Sequence, residues 1–137
     1  MAVVVDTSAL YALMDRTSHM HDAVRGYVTG SSELLLVPVT TLPELDYLVT
    51  ERLGSRVALQ LLRAIVSGEM RLEEVTNSDL ERCIALMEQY GDTALGLVDA
   101  SIIAIAERLR ISTVLTLDQR HFRFVRPRHC AAFDLVP

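Results

Sequence analysis

Val3-Val4-Val5 is a run of three β-branched residues that meets an acid, Asp6, and then two small hydroxyl residues, Thr7 and Ser8. The run predicts a buried strand ending at Asp6, followed by a helix to Met14 that Thr7 or Ser8 is expected to cap. His21 to Val28 reads as a second helix, closed by the turn around Gly30-Ser31-Ser32. Leu34 to Val37 is continuously apolar and stops at Pro38, which suits a strand buried on both faces. Leu42, Leu45, Leu48, Val49 and Leu53 follow helical spacing, with Gly54 as the stop. Ser55 is the expected cap of the next helix, which runs to about Val66 and ends before Gly68. Arg71 to Val75 is a polar strand suited to a sheet edge, and Thr76-Asn77-Ser78-Asp79 opens a helix through Tyr90. Leu97 to Leu109 is apolar nearly all round and predicts the central buried helix. Ile111 to Leu117 is expected to be a strand, with Asp118 directly after it, and Ala131 to Val136 a last short strand.

This alternation implies an α/β fold: a parallel sheet of four to five strands with helices on both faces. The chain has 137 residues, half of them hydrophobic. That is the size of one domain, residues 1–137, and such a chain buries roughly two-thirds of its unfolded surface. Part of the broad apolar face between Val57 and Ile65 is expected to be covered by a second copy of the chain.

Charge and cysteine content narrow the setting. The formal net charge is −5, which argues against a surface that coats itself in nucleic acid. All 13 cationic side chains are Arg, however, and Arg forks match phosphate geometry. The run Arg120, Arg123, Arg126, Arg128 reads equally as a solvated tail or as a basic rim. Cys83 and Cys130 have no metal-binding or redox spacing, so free thiols in a reducing cytoplasm are expected. Asp6 interrupts the N-terminal apolar run, so no signal peptide is expected there, and no apolar stretch is long enough to span a membrane.

Four acids carry the candidate chemistry: Asp6, Glu44, Asp99 and Asp118. In an open α/β sheet ligands bind beyond the carboxyl ends of the strands, where Asp6 and Asp118 both follow an apolar run. Glu44 also fits a capping box with Thr41, in which it would reach back to the Thr41 amide. Asp99 sits in the first turn of the otherwise apolar helix. The helix dipole favours an acid there by only about 0.3–1 kcal/mol, whereas an unpaired buried ion costs several kcal/mol. A bound cation resolves that conflict. Carboxylates brought to about 5 Å repel by on the order of 3 kcal/mol per pair at an effective dielectric near 20. Oxygen-only ligands point to Mg²⁺, with Mn²⁺ as substitute. The four His lie outside zinc-ligand spacing, and His21 and His121 read as surface or capping residues. Thr7, Ser8 and Thr116 neighbour the acids and are expected to orient them.

The segments Val4-Val5-Asp6-Thr7-Ser8-Ala9-Leu10, Pro43-Glu44-Leu45, Leu97-Val98-Asp99-Ala100-Ser101-Ile102 and Leu115-Thr116-Leu117-Asp118 with His121-Phe122 resemble the PIN-domain nucleases, and among them the VapC-type toxins of toxin–antitoxin pairs. The resemblance spans essentially the whole chain. It implies a three-layer α/β/α PIN-like nuclease domain, with Asp6, Glu44, Asp99 and Asp118 at the acidic positions and Asp6 and Asp99 as the main Mg²⁺ ligands. Asp92 matches an acid often found before the central helix and takes at most a supporting part. The resemblance further implies an RNA substrate, a cognate antitoxin and a homodimer. The reading is a Mg²⁺-dependent endoribonuclease.

Two rivals are weighed against it. A phosphatase or phosphotransfer domain of similar fold would want an Asp where Ser8 stands, or a Lys on a late strand, and the chain has no Lys. A non-catalytic binding module would use the same acids only to grip a partner's Arg residues.

Overall fold

Period-two alternation along the first strand divides the interior into two cores. The computed structural model describes residues 1–137. In β1 (Ala2–Val5), Val4 faces one core, and Val3 and Val5 face the other. The chain continues through α1 (Thr7–Met14), α2 (His21–Gly30), β2 (Leu34–Pro38), α3 (Leu42–Leu53), α4 (Ser55–Ser67), β3 (Met70–Glu73) and α5 (Asn77–Gln89). A short 3₁₀ turn at Gly91–Thr93 leads into α6 (Leu97–Leu109), β4 (Thr113–Leu115), α7 (Arg120–Phe124) and β5 (Asp134–Val136). All five strands pair in parallel, in the order β3-β2-β1-β4-β5. Helices α1 to α4 supply the core on one face and α5 to α7 the core on the other, giving three α/β/α layers.

The order reverses between β1 and β4, so the crevice of this open sheet lies at their carboxyl ends. Asp6 closes β1 at that point. Its backbone amide donates to Leu115 O at 2.9 Å, tying the turn to β4.

Helix α6 has the predicted bounds, and Ala100 to Ala106 are all buried. Each buried Ile there contributes about 1.5–3 kcal/mol. Polar ties hold α5 against α6: Arg82 binds Glu107 through two bonds of 2.7 and 3.0 Å, and Arg108 pairs with Asp79 at 3.1 Å. Asp79 also closes a capping box with Thr76 at the start of α5. As expected, β3 lies at a sheet edge.

Several boundaries differ from the sequence reading. Asp6, not Thr7 or Ser8, caps α1, because its carboxylate accepts the Thr7 amide at 2.7 Å. Gly54, not Ser55, precedes α4: its φ of 96° lets it end α3 and start α4 in one residue. The strand expected from Ile111 to Leu117 covers only Thr113–Leu115. Ile111 is taken by the end of α6, where its amide reaches Ala106 O at 2.8 Å and Arg110 turns left-handed. Leu117 leaves the ladder because its amide binds the Ser8 hydroxyl at 3.0 Å. The last strand is Asp134–Val136, the residues that face β4, and Ala131 stays outside it. The Arg120–Arg128 run contains a further short helix, α7; Phe122 and Val125 are buried and the arginines of the run are exposed.

Candidate active site

The alternation that splits the cores also aims the acids. Asp6 continues the parity of Val4, so it points toward the face covered by α6. Thr116 continues the parity of Val114 and reaches the same place. The Thr116 hydroxyl donates to Asp6 Oδ2 at 2.8 Å and accepts the Asp118 amide at 3.1 Å. The Ser8 hydroxyl donates to the same Oδ2 at 3.2 Å while accepting the Leu117 amide. Asp6 is only 6% exposed, yet both its oxygens are engaged. Thr7 contributes its backbone amide; its hydroxyl is buried without a partner.

One cavity of about 400 Å³ is lined by Asp6, Glu44, Asp99 and Asp118, together with Thr7, Ser8, Tyr11, Leu48 and Arg52. The structure thus brings together all four acids expected from the sequence, from β1, α3, α6 and the segment after β4. Asp46 and Asp92 are outside this lining. Asp92 is exposed on the 3₁₀ turn, whose neighbouring Thr93 is the residue that reaches inward.

Each acid has a distinct environment. The Asp6 carboxyl is pushed above the usual carboxylate range, first by burial and also by the negative charge of Asp99. Asp99 Oδ2 lies 2.6 Å from His121 Nδ1, and His121 Nε2 lies 3.0 Å from Thr93 O. His121 is therefore wedged between a carboxylate and a carbonyl, which corrects its reading as a surface or capping residue. The signal available was its place three residues after Asp118, on the short helix α7. Asp118 is half-exposed and held below the usual range by the Arg120 guanidinium, 3.2 Å away.

Glu44 is exposed in the first turn of α3. The capping box expected with Thr41 does not form. The Thr41 amide and hydroxyl both donate to Pro38 O, at 3.0 and 2.8 Å, which leaves the Glu44 carboxylate on the cavity wall. A further tie went unread in the sequence. Thr40 Oγ1 and Ser101 Oγ are 2.6 Å apart, and Ser101 donates to Val98 O, so the start of α3 is pinned to the first turn of α6. That link sets Glu44 relative to Asp99.

A model of the PIN domain matches residues 3–126. The chain belongs to the PIN-domain family. Ribonuclease VapC26 of Mycobacterium tuberculosis is 35% identical over 135 residues, covering 98% of this chain and all of that protein, which sets the PIN chain within the VapC branch. Among solved structures, Mycobacterium tuberculosis VapC20, a sarcin–ricin-loop cleaving toxin, superposes with a TM-score of 0.79 at 21% identity, covering 86% of this chain and 91% of its own. A toxin–antitoxin complex from Klebsiella pneumoniae gives 0.70 at 18% identity, with 99% and 97% covered. Both share the PIN fold described above.

PIN-domain ribonucleases of the VapC type depend on a metal ion. The donors of this PIN cavity fit a hard divalent cation: they are all oxygens, one is desolvated, and the Asp6–Asp99 repulsion is of the kind a cation relieves. The fit is of the open kind. No three His, Cys, Asp or Glu side chains are packed into a ready cage. A small cation that keeps several waters needs only one or two carboxylates.

Proposed function

We propose that this chain is a Mg²⁺-dependent endoribonuclease and the toxin of a toxin–antitoxin pair, acting in the cytoplasm as a single-domain protein. The observation that carries the reading is the meeting of Asp6, Glu44, Asp99 and Asp118 in one cavity at the sheet's switch point, in a chain 35% identical to a VapC ribonuclease.

Asp6 and Asp99 would hold the ion. Bound there, it supplies charge to the scissile phosphate and acidity to the attacking water. Asp6 is kept rigid for that task by Thr7 N–H and the Ser8 and Thr116 hydroxyls. Glu44 is the better placed of the two remaining carboxylates to orient the water and take its proton, because Asp118 is already paired with Arg120. Attack by water rather than by the ribose 2′-hydroxyl leaves a 5′-phosphate and a 3′-hydroxyl.

Partner surfaces are available. Leu59, Leu62 and Val66 form an exposed apolar stripe along α4, and Leu80, Ile84 and Met87 form another along α5. These support a homodimer that is held inactive by a small antitoxin. Phosphotransfer through Asp6 is disfavoured by Ser8 two residues on, whose hydroxyl is committed to Asp6 Oδ2 and Leu117 N.

The test is cleavage of structured RNA in Mg²⁺ by the wild-type chain, Asp6→Asn and Asp99→Asn. The wild type cuts and the variants lose most activity. Equal cleavage by all three overturns the mechanism.

A further inference from the structure

Arg52 is the sole cation lining a cavity walled by four carboxylates. Yet the six ion pairs of the molecule leave it out. Its guanidinium carbon sits instead 5.4 Å from the centre of the Tyr11 ring. That ring is itself fixed: Tyr11 Oη donates to Asp15 at 2.9 Å, and Asp15 is anchored by the Thr17 amide and hydroxyl. A cation resting on an aromatic face keeps its N–H edge free. The arrangement holds a planar fork of donors at the rim of an acidic pocket without spending it on an acid.

A polyanion entering this cavity meets four negative side chains. A divalent ion held by Asp6 and Asp99 would offset charge only at the phosphate under attack. The neighbouring phosphates of a single strand still need a cation, and among the lining residues only Arg52 offers one. Arg suits that task better than Lys because its fork binds two phosphate oxygens at once.

We propose that Arg52, presented by the Tyr11 ring, binds a backbone phosphate of the RNA next to the one cleaved. Arg52 is a substrate-binding residue of the site and takes no part in activating water. This inference rests on the ribonuclease reading for its substrate, but its binding test does not require cleavage.

The experiment measures binding of a fluorescently labelled single-stranded RNA by anisotropy, in Ca²⁺ and over a range of salt, alongside cleavage in Mg²⁺. Arg52 is exposed, so Arg52→Gln is expected to fold, and a thermal melt checks it. Arg52→Gln weakens binding about 10-fold, and the slope of log K against log salt becomes shallower by about 0.7, the value of one lost phosphate contact on a single strand. KM rises while kcat and Mn²⁺ affinity stay within about twofold. Arg52→Lys restores the slope but only part of the affinity. Tyr11→Leu loses affinity with the slope unchanged, and Tyr11→Phe, which keeps the ring but loses its bond to Asp15, loses less.

An Arg52→Gln protein with wild-type affinity and slope overturns the proposal. If the wild type cuts RNA and Arg52→Gln is unaltered, Arg52 alone is misassigned. If the wild type binds RNA through Arg52 but cuts none in Mg²⁺ or Mn²⁺, the phosphate site stands and the nuclease reading falls. A chain that neither binds nor cuts RNA ends both.

Discussion

Replacing Asp6 by Asn is expected to stabilise the metal-free protein while disabling it. In the folded chain Asp6 holds its proton more tightly than in the unfolded chain, because burial and the Asp99 charge oppose ionisation. As pH rises past the ordinary carboxylate range near 4, the unfolded chain releases this proton first. Stability therefore falls through that window up to the raised folded value, and at neutral pH the full penalty applies. Two carboxylates about 8 Å apart in a partly solvated site repel by about 2 kcal/mol at an effective dielectric of 20, which sets the scale of the penalty. Weaker bonds from Ser8 and Thr116 to a neutral amide return part of that gain. The net gain for Asp6→Asn is about 1 kcal/mol, or about 3 °C in Tm for a domain of this size. Saturating Mn²⁺ reverses the order: at a hundred times Kd it adds about 2.7 kcal/mol to the wild type and little to the variant. RNA cleavage by Asp6→Asn falls by on the order of 100-fold or more. Differential scanning fluorimetry with and without Mn²⁺ reads all but the last. A metal-free Asp6→Asn protein that melts below the wild type refutes the reasoning, as does an equal Mn²⁺ shift in both.

Other expectations follow from the same contacts. His121→Ala removes the 2.6 Å contact with Asp99 and lowers cleavage by about 10-fold, with less effect on RNA affinity; an unchanged kcat contradicts it. Glu107→Ala strands Arg82, leaves the Arg128 amide without its partner and costs about 2–3 kcal/mol in chemical denaturation. Arg82 holds the Glu107 carboxyl below its ordinary range, against the opposing effect of burial. Its contribution is thus present above the ordinary carboxylate range and is lost as pH falls below about 4. A wild-type protein whose acid transition is unmoved in Glu107→Ala refutes that assignment. Ile103→Ala empties a fully buried position in α6 and costs about 3–4 kcal/mol, measured by urea unfolding.

Much of the fold was legible because its strongest patterns are local. Ala100 to Ala106 are buried without interruption, so α6 announced itself and Asp99 stood out against it. The Val3–Val5 run before Asp6 and the run through Leu117 before Asp118 placed two carboxylates beyond the carboxyl ends of the strands. What the sequence hid depends on competition among partners. Thr41 and Glu44 spell a capping box, but Pro38 O captures both Thr41 donors, while the capping box that does form is Thr76 with Asp79. Ile111 and Leu117 look like strand, but a helix end and a serine hydroxyl claim their amides. His121, Thr40 and Arg52 gain their meaning from contacts 22, 61 and 41 residues away in the chain, with Asp99, Ser101 and Tyr11. No local periodicity reports such pairs.

The chemistry of the cut RNA ends tests the central claim most directly. Carboxylates that hold a divalent cation and activate water leave 5′-phosphate and 3′-hydroxyl termini in Mg²⁺, and cleavage stops in EDTA. Termini carrying a 2′,3′-cyclic phosphate, or cleavage that persists in EDTA, contradict the account.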